Sequence, residues 1–184
     1  MVSQVLYGEH FKILEERAQW SRIRVASDNF EAWISNKQLL KIPEETYFQL
    51  DQATPKYSAD LFDFVTDHNG HLITIPIGAS LNATGLLNHH FEGHSVTGEK
   101  PKMEIVKTAL LYLNSPYAWG GKSPLGIDCS GLTQVIYKMI GIKLPRDASQ
   151  QVSIGTALSF VDEAEPGDLA TIDVSFISLK FVVP

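Results

Sequence analysis

The sequence predicts an α+β protein in which a small β-barrel comes first and a mixed domain with helices follows. In residues 1–42, four short apolar runs alternate with polar and turn residues, which is typical of the closely spaced strands of a barrel. From residue 99 onward the apolar residues recur at helical spacing instead. A chain of 184 residues, 44% of them hydrophobic, has room for one ordinary domain or two small ones.

The first unit, residues 1–42, is predicted from its strands and one turn. The strands are expected at residues 5–9, 11–16, 20–25 and 31–34. In the third of them Trp20, Ile23 and Val25 are apolar among polar neighbours, as a half-buried strand requires. The Ser-Asp-Asn of residues 27–29 is expected to form a turn.

Residues 43–98 are predicted to form a second small β unit. Residues 72–78 carry an apolar run that ends in glycine, which favours a strand entering a turn. The His-Asn-Gly of residues 68–70 just before it is a hairpin signal. Residues 88–98, rich in Gly, His, Ser and Thr, are expected to form a loop.

The third unit, residues 99–184, is predicted to contain two helices joined by a glycine-rich loop at residues 119–126. The first helix covers residues 104–114 and stops before a proline, which disfavours helical geometry in the residue ahead of it. Its apolar face consists of Met103, Val106, Ala109, Leu110 and Leu113. The second helix ends at Gly141, a residue suited to a C-terminal cap. Its apolar face consists of Leu132, Val135, Ile136, Met139 and Ile140.

Composition and charge exclude several classes of function. The formal net charge is −6 and no Lys/Arg cluster is visible, so we expect no nucleic-acid partner. The apolar runs are far shorter than the roughly 20 residues that a membrane-spanning helix needs. Cys129 is the only cysteine and no ligand cluster accompanies it, so the sequence predicts neither a metal nor an organic cofactor.

Cys129 stands where the glycine-rich loop becomes the second helix. Asp128 is a good N-cap residue, which places Cys129 in the first turn of the helix. The unpaired N–H groups of a helix start stabilise a thiolate, and a glycine loop can bring further N–H groups close to a reacting carbonyl. The pattern is that of a nucleophilic cysteine. A buried structural cysteine is the alternative reading, because free cysteine is among the most buried residue types.

Four stretches of this third unit resemble the nucleophile region of the NlpC-type cell-wall peptidases, which have a papain-like fold. They read Tyr-Leu-Asn-Ser-Pro-Tyr-Ala-Trp-Gly-Gly at 112–121, Gly-Ile-Asp-Cys-Ser-Gly-Leu at 126–132, Leu-Pro-Arg-Asp-Ala-Ser-Gln-Gln at 144–151 and Glu-Pro-Gly-Asp-Leu at 165–169. The match covers about residues 102–170, and its combination of motifs is much more specific than any single one.

The upstream residues 5–34 resemble the bacterial SH3-like barrels that are often fused to these peptidases. The barrel-plus-peptidase layout resembles the subgroup that cuts γ-D-glutamyl bonds to a diamino acid in murein peptides. The resemblance therefore implies an SH3-like barrel at residues 1–42, followed by an incomplete papain-like α+β domain at residues 99–184.

The resemblance implies a cysteine endopeptidase that forms an acyl-enzyme on Cys129, with Tyr117 beside the scissile carbonyl helping to stabilise the oxyanion. Murein-derived peptides would be the partners. Tyr117, like Trp119, has a plainer reading as a packing aromatic. From the barrel, the candidates for contact with substrate are Glu31, Trp33 and Tyr47.

The substrate-binding residues that the resemblance implies surround the nucleophile. Asp128 would pair with the free amino end of a short peptide, and Ser130 would hydrogen-bond its D-Glu carboxylate. Arg146 and Asp147 would line or brace the same pocket. In the alternative reading Asp128 only caps its helix, and Arg146 and Asp147 form a surface ion pair.

The sequence departs from the family pattern after residue 170. The family's catalytic histidine opens the strand after Gly-Asp-Leu, but no histidine follows Cys129 here, and His89, His90 and His94 lie upstream in the predicted loop. We therefore expect a family member that is truncated after about Ala170. At its start we expect the first strand of the barrel to be missing. Besides the enzyme, two alternatives follow: a non-catalytic cell-wall peptide-binding module, and an inactive truncated fragment.

Two expectations concern the ends of the chain. No secretory signal is visible, which favours the cytoplasm, with export as the alternative if the true start lies upstream. Residues 174–183 are rich in β-branched and aromatic residues, so this segment, if unpaired, would favour self-association.

Overall fold

The computed structural model describes residues 2–173 and 178–183, and it confirms an α+β fold. The first unit is an antiparallel meander of β1 (Phe11–Glu16), β2 (Trp20–Val25) and β3 (Glu31–Ser35). The predicted strand at residues 5–9 is wrong: this stretch is irregular and turns at Gly8, whose φ is +73°.

Buried and exposed side chains alternate along β2, and this alternation defines its inner face. Ser21, Ile23 and Val25 are buried, whereas Trp20 is 51% exposed. Successive side chains of a strand point to opposite faces, so Trp20 cannot share a face with Ile23. Grouping Trp20 with Ile23 and Val25 on one half-buried face was therefore wrong.

The second unit begins with a helix that the sequence patterns did not predict, α1 (Glu44–Gln52). The strands β4 (Lys56–Ser58), β5 (Phe62–Thr66), β6 (Leu72–Pro76) and β7 (Ser95–Thr97) follow. β5 and β6 form the predicted hairpin around residues 68–70. β7 pairs with β4, so the loop predicted for residues 88–98 is wrong for its last part. A small core of Val65, Ile75, Ala79 and Leu81 lies in this unit.

In its described residues, the third unit holds three further α-helices and two more groups of paired strands. Its elements are α2 (Met103–Leu111), β8 (Lys122–Ser123), β9 (Gly126–Ile127), α3 (Cys129–Lys138), α4 (Ala148–Ile154), β10 (Thr156–Ala157), β11 (Leu169–Asp173) and β12 (Ser178–Val183). β12 pairs with both β10 and β11, and β8 pairs with β9. The backbone of residues 178–183 is thus paired, while residues 174–177 of the segment expected to self-associate lie outside the described residues.

α2 packs through a face other than the predicted one. Ile105, Thr108 and Tyr112 are buried against α3 and its neighbours, whereas Leu110 and Leu113 are 62% and 71% exposed. The three buried residues also follow helical spacing, and contact with α3 decides which of the two apolar stripes is covered. Met103 of the predicted face is likewise exposed.

α3 is the centre of the third unit and is buried on almost every side. Val135 and Tyr137 are fully buried, and the predicted apolar residues Ile136, Met139 and Ile140 are buried as well. The Tyr137 hydroxyl donates a hydrogen bond to the Gly167 carbonyl. Because α3 is packed on almost every side, the residues at its start are held in place. The proposed unit boundaries at residues 42 and 98 stay a prediction.

Among the described helices, none has both the length and the apolar character needed to cross a bilayer.

Candidate active site

Cys129 is the first residue of α3, as the sequence predicts, and its side chain is exposed. Asp128 is the N-cap: its backbone is extended and its Oδ1 accepts a hydrogen bond from the Gly131 N–H at 2.7 Å. The reading of Cys129 as a buried structural residue is therefore wrong. The chain's single thiol lies at the surface, beside the unpaired N–H groups of a helix start.

The glycine-rich loop is held against the helix start by backbone groups. The Gly120 N–H donates to Asp128 Oδ2 at 2.8 Å, and the Asp128 N–H donates to the Gly121 carbonyl at 3.3 Å. Gly131 leaves no room for a larger residue, because a Cβ there would collide with the Gly121 carbonyl oxygen. Loop and helix thus approach as closely as two backbones can.

Arg146 joins the two residues that flank Cys129. Its guanidinium donates to Asp128 Oδ2 at 2.8 Å and to Ser130 Oγ at 2.8 Å, and its Nε donates to Ser3 Oγ at 2.9 Å. Arg146 is 2% exposed, so this is a buried ion pair and not the surface pair with Asp147 that was the alternative reading. One cation thus holds the residues on both sides of Cys129.

The charge of Asp128 is well compensated. Burial opposes its ionisation, but hydrogen bonds from Arg146, Gly131 and Gly120 outweigh burial and hold the pKa of Asp128 below its ordinary value. Both predicted roles, helix cap and pocket residue, use this same carboxylate. The structure shows the capping hydrogen bond of Asp128, and its contact with a peptide stays a prediction.

The backbone of Tyr117 lies close to the segment that leads into Cys129. It forms a parallel bridge with Ile127, two residues before Cys129, and the Ala118 N–H donates to the Ile127 carbonyl at 3.2 Å. The Tyr117 side chain is 67% exposed, so it is not the packing aromatic of the alternative reading. Trp119 is exposed to a similar degree.

Asp147 is the N-cap of α4, but its side chain makes no capping hydrogen bond and is exposed. Gln151 of the same helix donates to the Ser130 carbonyl at 3.0 Å and to the Pro145 carbonyl at 2.8 Å. Sequence reasoning singled out neither Gln151 nor Ser3 as a site residue. Gln151 lay within the family-like motif at residues 144–151, which was the available signal.

The three barrel candidates contact other barrel or α1 groups. Glu31 accepts from Arg24 at 2.9 Å, and the Arg17 guanidinium lies over the Trp33 ring at 4.4 Å. Tyr47 lies below the Lys12 ammonium at 5.2 Å. Their contact with substrate stays a prediction.

The histidines form their contacts elsewhere. Within the described residues, none of their hydrogen bonds or ion pairs involves Cys129. The pairs are His10 with Asp51, His68 with Asn69, His71 with Asp67, His89 with Tyr7, His90 with Glu92 and His94 with Asp60. In the same parts of the chain, no three His, Cys, Asp or Glu side chains are grouped so that they could hold a metal ion.

Comparison with known proteins places this arrangement in a family. The model of the NlpC/P60 family matches residues 114–178, and that of the bacterial dipeptidyl-peptidase SH3 domain matches residues 1–39. Dipeptidyl-peptidase 6 of Lysinibacillus sphaericus is 40% identical over 203 residues, covering 92% of this chain and 73% of that protein. The chain belongs to the NlpC/P60 family.

Two further comparisons agree with this assignment. Gamma-D-glutamyl-L-lysine dipeptidyl-peptidase of Bacillus subtilis (strain 168) is 28% identical over 190 residues, which cover 91% of this chain and 62% of the relative. The crystal structure of an NlpC/P60 family protein from Bacillus cereus ATCC 10987 has a TM-score of 0.80 at 20% identity, covering 98% of this chain and 69% of that one. At that identity the likeness concerns the fold. The chain spans about three fifths of the Bacillus subtilis relative.

Proposed function

We propose that this protein is a cysteine endopeptidase that hydrolyses the γ-D-glutamyl bond to a diamino acid in murein peptides. The observation that carries the proposal is the exposed Cys129 at a capped helix start, framed by Asp128, Ser130 and the buried Arg146. The family supports a peptidase, and the name of the Bacillus subtilis relative gives a γ-D-glutamyl-L-lysine bond for that protein.

The reaction follows the usual course of a thiol nucleophile. The Cys129 sulfur attacks the γ-carbonyl carbon of D-Glu, and the C–N bond breaks as the amine of the diamino acid leaves with a proton. Water then hydrolyses the thioester, which frees the D-Glu carboxylate and restores the thiol. The unpaired N–H groups at the start of α3 and the Tyr117 hydroxyl stabilise the oxyanion of each tetrahedral intermediate.

Different groups around Cys129 recognise different parts of the substrate. Arg146 already neutralises Asp128, so Asp128 acts chiefly by holding the loop and the helix start. The exposed Asp147, which has no side-chain cap bond, is the better partner for the ammonium at the free end of the peptide. Ser130, next to Cys129, is the hydrogen-bond partner for the D-Glu carboxylate, and the buried Arg146 braces Ser130 by donating to its Oγ.

A binding module is the second candidate, and one observation favours it. Within the described residues, no histidine is hydrogen-bonded to Cys129, and general-base assistance contributes about 10²–10⁴-fold to such reactions. A cleft that holds murein peptides without cutting them would need only the charged and hydrogen-bonding groups described above.

The experiment that separates the two is incubation with L-Ala-γ-D-Glu-L-Lys, with Cys129→Ala as the matched control. Release of free lysine by the wild-type chain and not by the variant supports the peptidase. Saturable binding of the tripeptide by both proteins, without product, supports the module. Equal release of lysine from both proteins excludes catalysis by Cys129.

A further inference from the structure

A buried cluster of three charges joins the first unit to the unit that carries Cys129. Glu9 Oε1 lies 2.8 Å from Lys138 Nζ and 3.4 Å from Lys122 Nζ. The side chains are 4%, 8% and 3% exposed, in the order Glu9, Lys138 and Lys122. A buried carboxylate shared by two buried ammonium groups is unusual, because each charge loses its hydration.

The two lysines come from the two elements that build the nucleophile's surroundings. Lys122 belongs to the glycine-rich loop, directly after the Gly120 and Gly121 groups that bond to Asp128. Lys138 is the last residue of α3, which begins at Cys129. One carboxylate from the first unit therefore holds both the loop and the helix that meet at the thiol.

Other contacts fix Glu9 itself and reinforce the same junction. The Leu6 N–H donates to Glu9 Oε2 at 2.8 Å, and Gln4 Oε1 accepts from the Lys122 N–H at 2.6 Å. Lys138 Nζ also lies over the Tyr57 ring at 4.6 Å. Residues 4–9 are irregular, so these polar contacts replace the strand pairing that would otherwise locate the segment.

Glu9 stays ionised in this setting. Burial on its own raises the pKa of Glu9, but Lys122 and Lys138 outweigh burial and lower it to about 2. Burial lowers the pKa of Lys122, and the charge of Glu9 opposes that change. Hydrophobic residues in place of a buried ion cluster often give equal or greater stability, so stability alone is a weak explanation for three buried charges.

We infer that Glu9 is a positioning residue for Cys129: through Lys122 and Lys138 it fixes the glycine-rich loop against the start of α3. The first unit then takes part in the site by holding the reactive thiol in place. This inference rests on the proposed function in one respect, that Cys129 is the reactive thiol. It does not require that the chain completes a catalytic cycle.

The test uses the full chain with Glu9→Gln, and Glu16→Gln as the matched control. Glu16 pairs with Lys41 at 2.8 Å on the exposed surface of the same unit. The readouts are amide hydrogen exchange at Gly120 and Gly131, and the rate at which iodoacetamide alkylates the single thiol at pH 7 and 25 °C. In Glu9→Gln we expect exchange at both amides to accelerate at least tenfold and alkylation to slow at least threefold, because the helix start loses its support. Glu16→Gln changes neither.

Lys122→Met keeps the inference testable should Glu9→Gln fail to fold. It removes the ion pair with the loop but leaves the 2.8 Å pair between Glu9 and Lys138, so we expect this variant to fold. We expect the same faster exchange and slower alkylation. A merely structural role would lower the melting temperature yet leave both local readouts within twofold of wild type, and that result overturns the inference. Failure of the proposed function would appear differently, as absence of lysine release by the wild-type chain.

Discussion

Replacing Arg146 with methionine removes the cation that frames Cys129 while keeping most of the side-chain volume. The guanidinium makes hydrogen bonds of 2.8 Å to Asp128, 2.8 Å to Ser130 and 2.9 Å to Ser3, and the residue is 2% exposed. Removing one member of a buried ion pair costs about 3–5 kcal/mol, because the other charge stays buried without its partner.

The structure places the expected loss at the lower end of that range. Asp128 keeps its hydrogen bonds from the Gly120 and Gly131 N–H groups, which continue to compensate part of its charge. We therefore expect the free energy of unfolding to fall by about 3 kcal/mol. For a chain of this size that corresponds to a melting temperature lower by roughly 6–12 °C.

Urea unfolding and thermal melting measure the loss, with Arg24→Met as the control. Arg24 pairs with Glu31 at 2.6 Å, but both side chains are well exposed, so its removal is expected to cost less than about 1 kcal/mol. A double-mutant cycle that combines Arg146→Met with Asp128→Asn measures the coupling energy between these two side chains. If Arg146→Met lowers the free energy of unfolding no more than Arg24→Met does, the claim that a buried ion pair holds the residues around Cys129 is refuted.

Three further predictions follow from the same contacts. Gly131→Ala is expected to lower the free energy of unfolding by about 1–3 kcal/mol, because its Cβ meets the Gly121 carbonyl; an unchanged urea midpoint would contradict this. The folded-state pKa of Glu9, about 2, lies below its ordinary value of 4.5, so its contribution is complete above pH 4.5 and is lost as the pH falls toward 2. That contribution is about 3 kcal/mol. The difference in free energy of unfolding between wild type and Glu9→Gln should therefore shrink as the pH falls from 4.5 toward 2. A difference that stays constant over this range would contradict the prediction. Asp147→Asn is expected to raise KM for L-Ala-γ-D-Glu-L-Lys several-fold with little change in kcat, and an unchanged KM would remove Asp147 from recognition.

The placement of Cys129 could be predicted because its signals are local. A capping aspartate, a glycine-rich loop before it and an apolar helical face after it all lie within a few residues of the thiol. Each signal acts through the backbone of the same segment, and the structure confirms the helix start and the cap. The hairpin around residues 68–70 was predictable for the same reason.

Residue spacing alone predicts none of the ion pairs that hold the site together, because the partners are distant in sequence, and only the family resemblance placed Arg146 in the pocket of Asp128. Arg146 binds Asp128 from 18 residues away, and Glu9 binds Lys138 from 129 residues away. A charged residue in the sequence gives no sign of which opposite charge the fold will bring to it. Nothing near Glu9 in the sequence indicates that its side chain is buried.

The errors in the helices have a related cause. α2 carries two apolar stripes, and contact with α3, not periodicity, buries Ile105 and Tyr112 in preference to Leu110 and Leu113. α1 has no buried residues, so no apolar stripe marks it. The proline at its N-cap and the two acidic residues in its first turn were the signals that remained.

The most direct test of the central claim is intact-mass measurement after brief mixing with L-Ala-γ-D-Glu-L-Lys. If the Cys129 sulfur attacks the γ-carbonyl, the wild-type chain gains the mass of one L-Ala-γ-D-Glu acyl group, located on Cys129 by peptide mapping, and Cys129→Ala gains nothing. A wild-type chain that binds the tripeptide yet shows neither this adduct nor free lysine at any time point would contradict the account.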